Sequence, residues 1–259
     1  MTDETRAAQP LPDIGEVTLS ELLTALKTGW QDFKRAPLFG LFFSSVYVVC
    51  GLLLSLLGAS TFYWTLVLSL GFPLVAPFAA VGLYEVSRRI EEGEPLKWSE
   101  VLGVVWRERG RQAPWIGAIL VIIFLFWSFF AHMSLALFLG NMTLINISSS
   151  WEVFQSPMGA MLIVFEIVTG GIVAFLVYAL TVVSLPLLLD KELDFVTAMI
   201  ISAKTVALNK RTLIIWAMII AVLLFVAMIP MFLGLLVVLP VLGHATWHLY
   251  RRALYFPSS

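Results

Sequence analysis

The chain has 259 residues, of which 60% are hydrophobic and 13% charged, with a formal net charge of −1 and a mean hydropathy of +0.94. A soluble domain of ordinary composition is about 25% charged, so there is too little charge here to coat a water-exposed surface, and a soluble fold is excluded. A single cysteine, Cys50, rules out an internal disulfide and a thiolate metal cluster, and in its apolar run it reads as a small buried side chain.

Residues 1–17 are polar and proline-containing, with Asp3, Glu4, Asp13 and Glu16 and no apolar core of a signal peptide. They are expected to form a flexible cytoplasmic tail. Residues 18–253 are expected to form one membrane domain, and 254–259 a short cytoplasmic C-terminal tail. In the stretch 17–36, Leu19, Leu22, Leu23, Leu26, Trp30 and Phe33 recur at helical spacing, with Ser20 placed to cap the helix. Residues 38–58 and 62–86 follow as two apolar spans, each close to the roughly 20 residues needed to cross a bilayer.

Residues 98–113 repeat the amphipathic pattern, with Trp98, Val101, Leu102, Val105 and Trp106 on one face and Arg107, Arg109 and Arg111 after them. Spans over 115–139 and 159–189 come next. A third amphipathic stretch, 194–211, carries Phe195, Val196, Met199, Ile200 and Val206 and ends in Lys210 and Arg211. Helices are predicted near 18–35, 97–111 and 194–209, each lying in the membrane interface or packed across the cytoplasmic face of the bundle. The remaining apolar run, 212–249, would be about 57 Å long as one helix at ~1.5 Å per residue, against a ~30 Å hydrocarbon core. It is therefore divided at Pro230 into spans 212–229 and 231–250.

Charge placement supports that division. With six spans and the N-terminus in the cytoplasm, all 16 Lys and Arg fall on the cytoplasmic side and none on the other. A five-span arrangement would place Arg251 and Arg252 outside. The expected fold is thus all-α and polytopic: six transmembrane helices in three parallel helical-hairpin units, each preceded by an amphipathic cytoplasmic-side helix. An internal echo agrees. Residues 71–89 align without gaps to 234–252, pairing Gly71 with Gly234, Pro77 with Pro240, Arg88 with Arg251 and Arg89 with Arg252.

The stretches PLVAPFAAVGLYEVSRRIEEGEP (73–95), VVSLPLLLDKELDFVTAM (182–199) and VVLPVLGHATWHLYR (237–251) resemble a bacterial family of predicted integral membrane proteins, domain of unknown function 2189. The resemblance covers roughly residues 20–253. It implies a multi-pass protein of the bacterial inner membrane and no particular activity.

Ionisable groups inside spans are costly and are the first functional candidates. Glu166 and His132 lie at similar depth on consecutive antiparallel spans. They could form a proton-handling or ligand-binding pair, or a structural hydrogen bond. His244 and His248, four apart on the last span, share one helical face. With Glu85, Asp190 or Asp194 they could bind a metal or haem, or make polar contacts without one. Pro73, Pro77, Pro186, Pro230 and Pro240 could mark broken helices around a substrate or only curvature.

No nucleophile elbow, phosphate loop, HExxH or CxxC occurs. No catalytic residue, resident metal or cofactor is assigned, and an enzyme is not expected. The basic clusters follow from topology, so nucleic acid is not a partner. The expected partners are the lipid bilayer and another membrane protein or a second copy of the chain. Three functions remain open: a non-enzymatic assembly or interaction protein, a small transporter or lipid/solute-handling protein, and a haem or metal protein using His244 and His248.

Overall fold

The computed structural model describes residues 11–56, 62–140 and 156–256. The expected loops at 59–61 and 141–155 lie outside those residues, as do the first ten residues and the last three. The fold is all-helical apart from one short strand pair. Helix α1 (Leu19–Arg35) is bent by 101° from α2 (Pro37–Leu56). The bend falls at Ala36, just before Pro37. A proline pushes its predecessor out of the helical region but is well suited to the first helical position. After α2 come α3 (Phe62–Glu92), α4 (Trp98–Glu108) and α5 (Ala113–Leu139). The second half holds α6 (Pro157–Thr181), α7 (Ser184–Asp190), α8 (Phe195–Leu208), α9 (Lys210–Met228) and α10 (Leu235–Ala253).

Three of these stretches are long and apolar enough to cross a membrane: Ala113–Leu139, Pro157–Asp190 and Lys210–Met228. A fourth is added if the bent pair Leu19–Arg35 and Pro37–Leu53 counts as one span. The expected first span, 38–58, ends in two residues outside the described ones, and the expected second, 62–86, lies on α3. Helix α10 carries His244, His248, Arg251 and Arg252 within its 19 residues, which dilutes its apolar character.

The amphipathic helices stand at 19–35, 98–108 and 195–208, close to their expected bounds. Their orientation differs from a simple apolar-inward rule. On α1 the buried face is Leu22, Ala25, Gly29, Asp32 and Phe33, while Leu19, Leu23 and Trp30 are exposed. On α4, Val101, Val104 and Glu108 turn inward, and Trp98, Leu102 and Trp106 outward. The N-cap of α1 is Thr18 and not Ser20. Its side chain and that of Glu21 form a reciprocal capping box that satisfies two end amides. Cys50, expected to be buried, is exposed on α2.

Small residues on α1 permit a close crossing. A Cβ on Gly29 would stand 2.6 Å from the Ala245 nitrogen and 2.7 Å from the Val241 oxygen, so the α1 and α10 backbones touch there. Backbone groups freed at a proline break are met by a serine on a neighbouring helix. Pro186 breaks the long apolar stretch at residues 182–183, because its ring clashes with the carbonyl four residues earlier. Ser202 of α8 accepts from Val183 N at 3.2 Å and donates to Ala179 O at 2.8 Å across that break. Pro240 frees Leu236 O, which lies 3.4 Å from Ser44 Oγ of α2, while the Ser44 proton goes to Gly40 O at 2.7 Å.

Helices α9 and α10 are separate, joined by a turn over 229–234 in which Met231 and Phe232 both have positive φ. At the opposite end the chain termini meet. Strand β1 (Asp13–Ile14) pairs antiparallel with β2 (Leu254–Tyr255), and Gly15 N donates to Ala253 O at 2.9 Å. Asn209, at the start of α9, accepts from Val17 N at 2.7 Å and donates to Gly15 O at 2.9 Å. Residues 13–17, expected to be part of a free tail, are thus bound to the body of the protein.

Candidate functional site

The ionisable groups gather at the end of the bundle where the termini meet. Because α1 crosses α10 at Gly29, the residue one turn on, Asp32, lies against the next turns of α10. His244 and His248 share a face of that helix, as their spacing predicts. Asp32 Oδ2 accepts from His248 Nε2 at 2.7 Å and from Ser87 Oγ of α3 at 2.9 Å. Ser87 Oγ is also 2.8 Å from His244 Nδ1. A hydroxyl has one proton, so a Ser87 that donates to Asp32 must accept from His244 Nδ1–H. His244 is then the neutral Nδ1–H tautomer. Its Nε2 is buried and, among the described residues, has no hydrogen-bond partner.

The residue types match a serine–histidine–aspartate hydrolase, but the geometry does not. A nucleophilic serine needs an exposed oxygen whose proton goes to a histidine. Here Ser87 and His244 are both 0% exposed, and the serine proton points to the carboxylate. What the arrangement does is tie α1, α3 and α10 together through one buried chain of hydrogen bonds.

Glu85, Asp190 and Asp194 do not meet the histidines. Glu85 is buried and holds two arginines of its own helix: Arg88 Nε at 2.8 Å and Arg89 Nε at 2.6 Å. Arg89 continues to Glu100 of α4 and to Pro95 O at 3.1 Å, stapling the end of α3 to α4. Asp190 accepts from Tyr250 OH at 2.7 Å and lies 3.7 Å from Arg251. Glu91 takes Trp247 Nε1 at 2.9 Å and Arg251 Nε at 3.3 Å. Asp194 caps α8 by accepting from Thr197 N at 2.8 Å, and its hydrogen bonds to Thr197 hold its carboxyl below the usual carboxylate range. Glu108 is pushed the other way, chiefly by burial, although Arg111 sits 2.8 Å away.

The second candidate lies apart from this cluster. Glu166 is half-buried on α6 and accepts a hydrogen bond from Ser134 of α5. The partner is Ser134 and not the expected His132. His132, two residues earlier, donates from Nδ1 to Ser128 O of its own helix at 2.7 Å. Among the described residues no three His, Cys, Asp or Glu side chains come together as a metal site. His244 and His248 are each engaged by Ser87 and Asp32.

Asp32 and Ser87 are the residues that sequence reasoning missed. A signal for Asp32 was present: it falls at helical spacing from Leu22, Ala25 and Gly29, on the small-residue face and not on the bulky one. For Ser87 no sequence signal stands out.

Long apolar helices, polar groups buried in mutual pairs and outward-turned large apolar side chains define an integral membrane protein of the helical class. Residues 65–190 match the model of a family described as "Predicted integral membrane protein (DUF2189)". The resemblance read from the sequence is therefore shown over that segment. No curated protein and no solved structure matches the chain.

Proposed function

We propose that this is a six-span protein of the bacterial inner membrane with both termini in the cytoplasm, acting as a non-enzymatic assembly or interaction protein. The parity of the contacts supports the span count. Residues bonded to each other at one end of the bundle are separated by an even number of crossings. Asp32 with Ser87 brackets α2 and α3; Glu91 with Arg251, and Asp190 with Arg251, bracket α5 with α6 and α9 with α10 in turn. The strand pair of the termini makes the same point for the whole chain. The bases on these segments give the orientation by the positive-inside rule.

One observation carries the functional reading. The titratable side chains buried at the terminal end bond to one another, whereas large apolar side chains of α1, α4 and α8 face outward. Surface of that kind suits contact with lipid or another protein more than chemistry on a polar substrate. The break at Pro186 is plugged by Ser202, which weighs against a broken-helix substrate site there.

A native pull-down of the chain from membranes in mild detergent tests the function, with a stoichiometric membrane-protein partner expected. Recovery of the chain alone, together with proton-coupled solute uptake in vesicles, would favour the transport reading. Topology is tested separately in a Cys50→Ala background. Cysteines at Ser60 and Ser149 are expected to react with an impermeant thiol reagent from the periplasm, and cysteines at Gly93 and Ser258 are not. Labelling at Gly93 from outside would overturn the orientation.

A further inference from the structure

Helix α8 lies over the ends of α5 and α6, and between them runs an apolar groove of about 630 Å³. That volume is within the range of about 300–1,000 Å³ typical of small-molecule sites. Its walls are Ile119 of α5, Leu180 of α6, and Val196, Ile200, Ala203 and Ala207 of α8, with Lys204 as the one ionic group on its lining. The groove lies near the terminal end of the bundle: Phe195 N, at the start of α8, donates to Gln112 Oε1 just before α5 at 3.4 Å. In the topology proposed above, on which this inference rests, that is the level where acyl chains give way to headgroups in one leaflet.

The charges nearby are unbalanced. Arg88, Arg89, Arg111 and Arg251 all hold carboxylates. Lys204, Lys210 and Arg211 are exposed and, like Lys27, Arg35 and Arg107 elsewhere, form no ion pair among the described residues; of these bases Lys204 alone lines the groove. An apolar channel at acyl depth, opening beside uncompensated bases, is complementary to one occupant. We infer that the groove binds an anionic phospholipid, its acyl chain along α8 between α5 and α6 and its phosphate on Lys204. The fit does not depend on whether the chain also binds a protein partner. The lipid would fill the space under α8 and neutralise a base that the protein itself leaves unpaired.

The test is lipid retention by the purified full-length chain, measured by native mass spectrometry after adding phosphatidylglycerol or phosphatidylcholine with identical acyl chains. One base near the membrane surface is worth about a fivefold preference for anionic lipid. The wild-type chain is therefore expected to retain phosphatidylglycerol about fivefold more strongly. Lys204→Gln, at an exposed position where folding is not at stake, should abolish the preference while phosphatidylcholine retention stays unchanged. Ala207→Trp, which fills the groove, should reduce retention of both lipids, with its unfolding midpoint measured alongside. Arg35→Gln, remote from the groove, should leave the preference intact. The inference is overturned if the wild type retains both lipids equally or if Lys204→Gln keeps the preference. It is equally overturned if Arg35→Gln removes the preference as fully as Lys204→Gln does, since general surface charge would then be the cause.

Discussion

Replacing Asp32 with leucine should destabilise the protein more than any other single change at the terminal end. The aspartate is 2% exposed and accepts two hydrogen bonds, from His248 at 2.7 Å and Ser87 at 2.9 Å. A hydrogen bond to a charged group contributes about 1.5–3 kcal/mol, and removing one partner of a buried polar pair leaves the other side unpaired at similar cost. His248 keeps 15% of its side chain exposed, so water can replace part of its bond. Ser87 is fully buried and retains only its contact with His244. The net loss for Asp32→Leu is therefore about 2–4 kcal/mol. Asp32→Asn keeps one acceptor and the shape, and should lose about half as much. Equilibrium unfolding in mixed micelles of mild detergent and dodecyl sulfate, followed by tryptophan fluorescence, measures both. Ser87→Ala combined with Asp32→Leu should cost less than the sum of the two, because one bond is removed in both single variants. An Asp32→Leu protein within about 0.5 kcal/mol of wild type would refute the reasoning, since that is the range of an indifferent surface change.

Changes at three further positions test other joints. Gly29→Ala places a methyl against backbone atoms of Val241 and Ala245, so α1 and α10 must separate; the expected loss is about 1–3 kcal/mol in the same unfolding assay. Asp194→Ala removes the cap of α8 and should cost about 1 kcal/mol at neutral pH, read as faster amide exchange over 195–208. Because the folded protein holds the Asp194 carboxyl below its ordinary range, that contribution is fully present above the range and vanishes as pH falls through the lowered value. The variant and wild type should therefore converge on acidification. Glu166→Gln should be tolerated, since an amide can still accept from Ser134. Glu166→Leu should lose about 0.6 kcal/mol, the usual size of an interhelical hydrogen bond in membranes.

The helices themselves were legible in the sequence to within a few residues, because 3.6-residue periodicity and terminal bases mark them. Which face turns inward was not. The rule that apolar residues go inside assumes water outside. Next to a bilayer both sides accept leucine and tryptophan, and close helix packing selects small residues instead. Hence Leu23 and Trp30 face out on α1 while Ala25, Gly29 and Asp32 face in. The shared face of His244 and His248 followed from their spacing. Their partner did not, because aligning α3 with α10 by the internal echo gives depth and says nothing of α1 crossing between them. Glu166 was expected opposite His132, yet the same turn of α5 also carries Ser134, which is the residue that bonds it. The plugging of the break at Pro186 by Ser202 was out of reach, since it depends on which helices become neighbours.

The proposed three-unit pattern invites comparison with a repeat array, in which each unit touches only the next and the ends are free. The contacts here describe a closed arrangement instead. Helix α1, at the start of the first unit, is seated on α10, at the end of the third, through Gly29, Asp32 and His248. The strand pair and Asn209 fasten the same two ends again. The contacts His248–Asp32 and Val17–Asn209 join residues 216 and 192 positions apart. Contacts of that span form late, because the loop they close must first be ordered. Helix α1 therefore cannot take its final place until α10 has formed. Until then its buried face, including the Asp32 carboxylate, is without its seat on α10. This accounts for an aspartate on a helix that enters first. In the interface the carboxylate can remain hydrated while α1 waits, and His248 of α10 joins Ser87 of α3 as its partner only when α10 packs against α1.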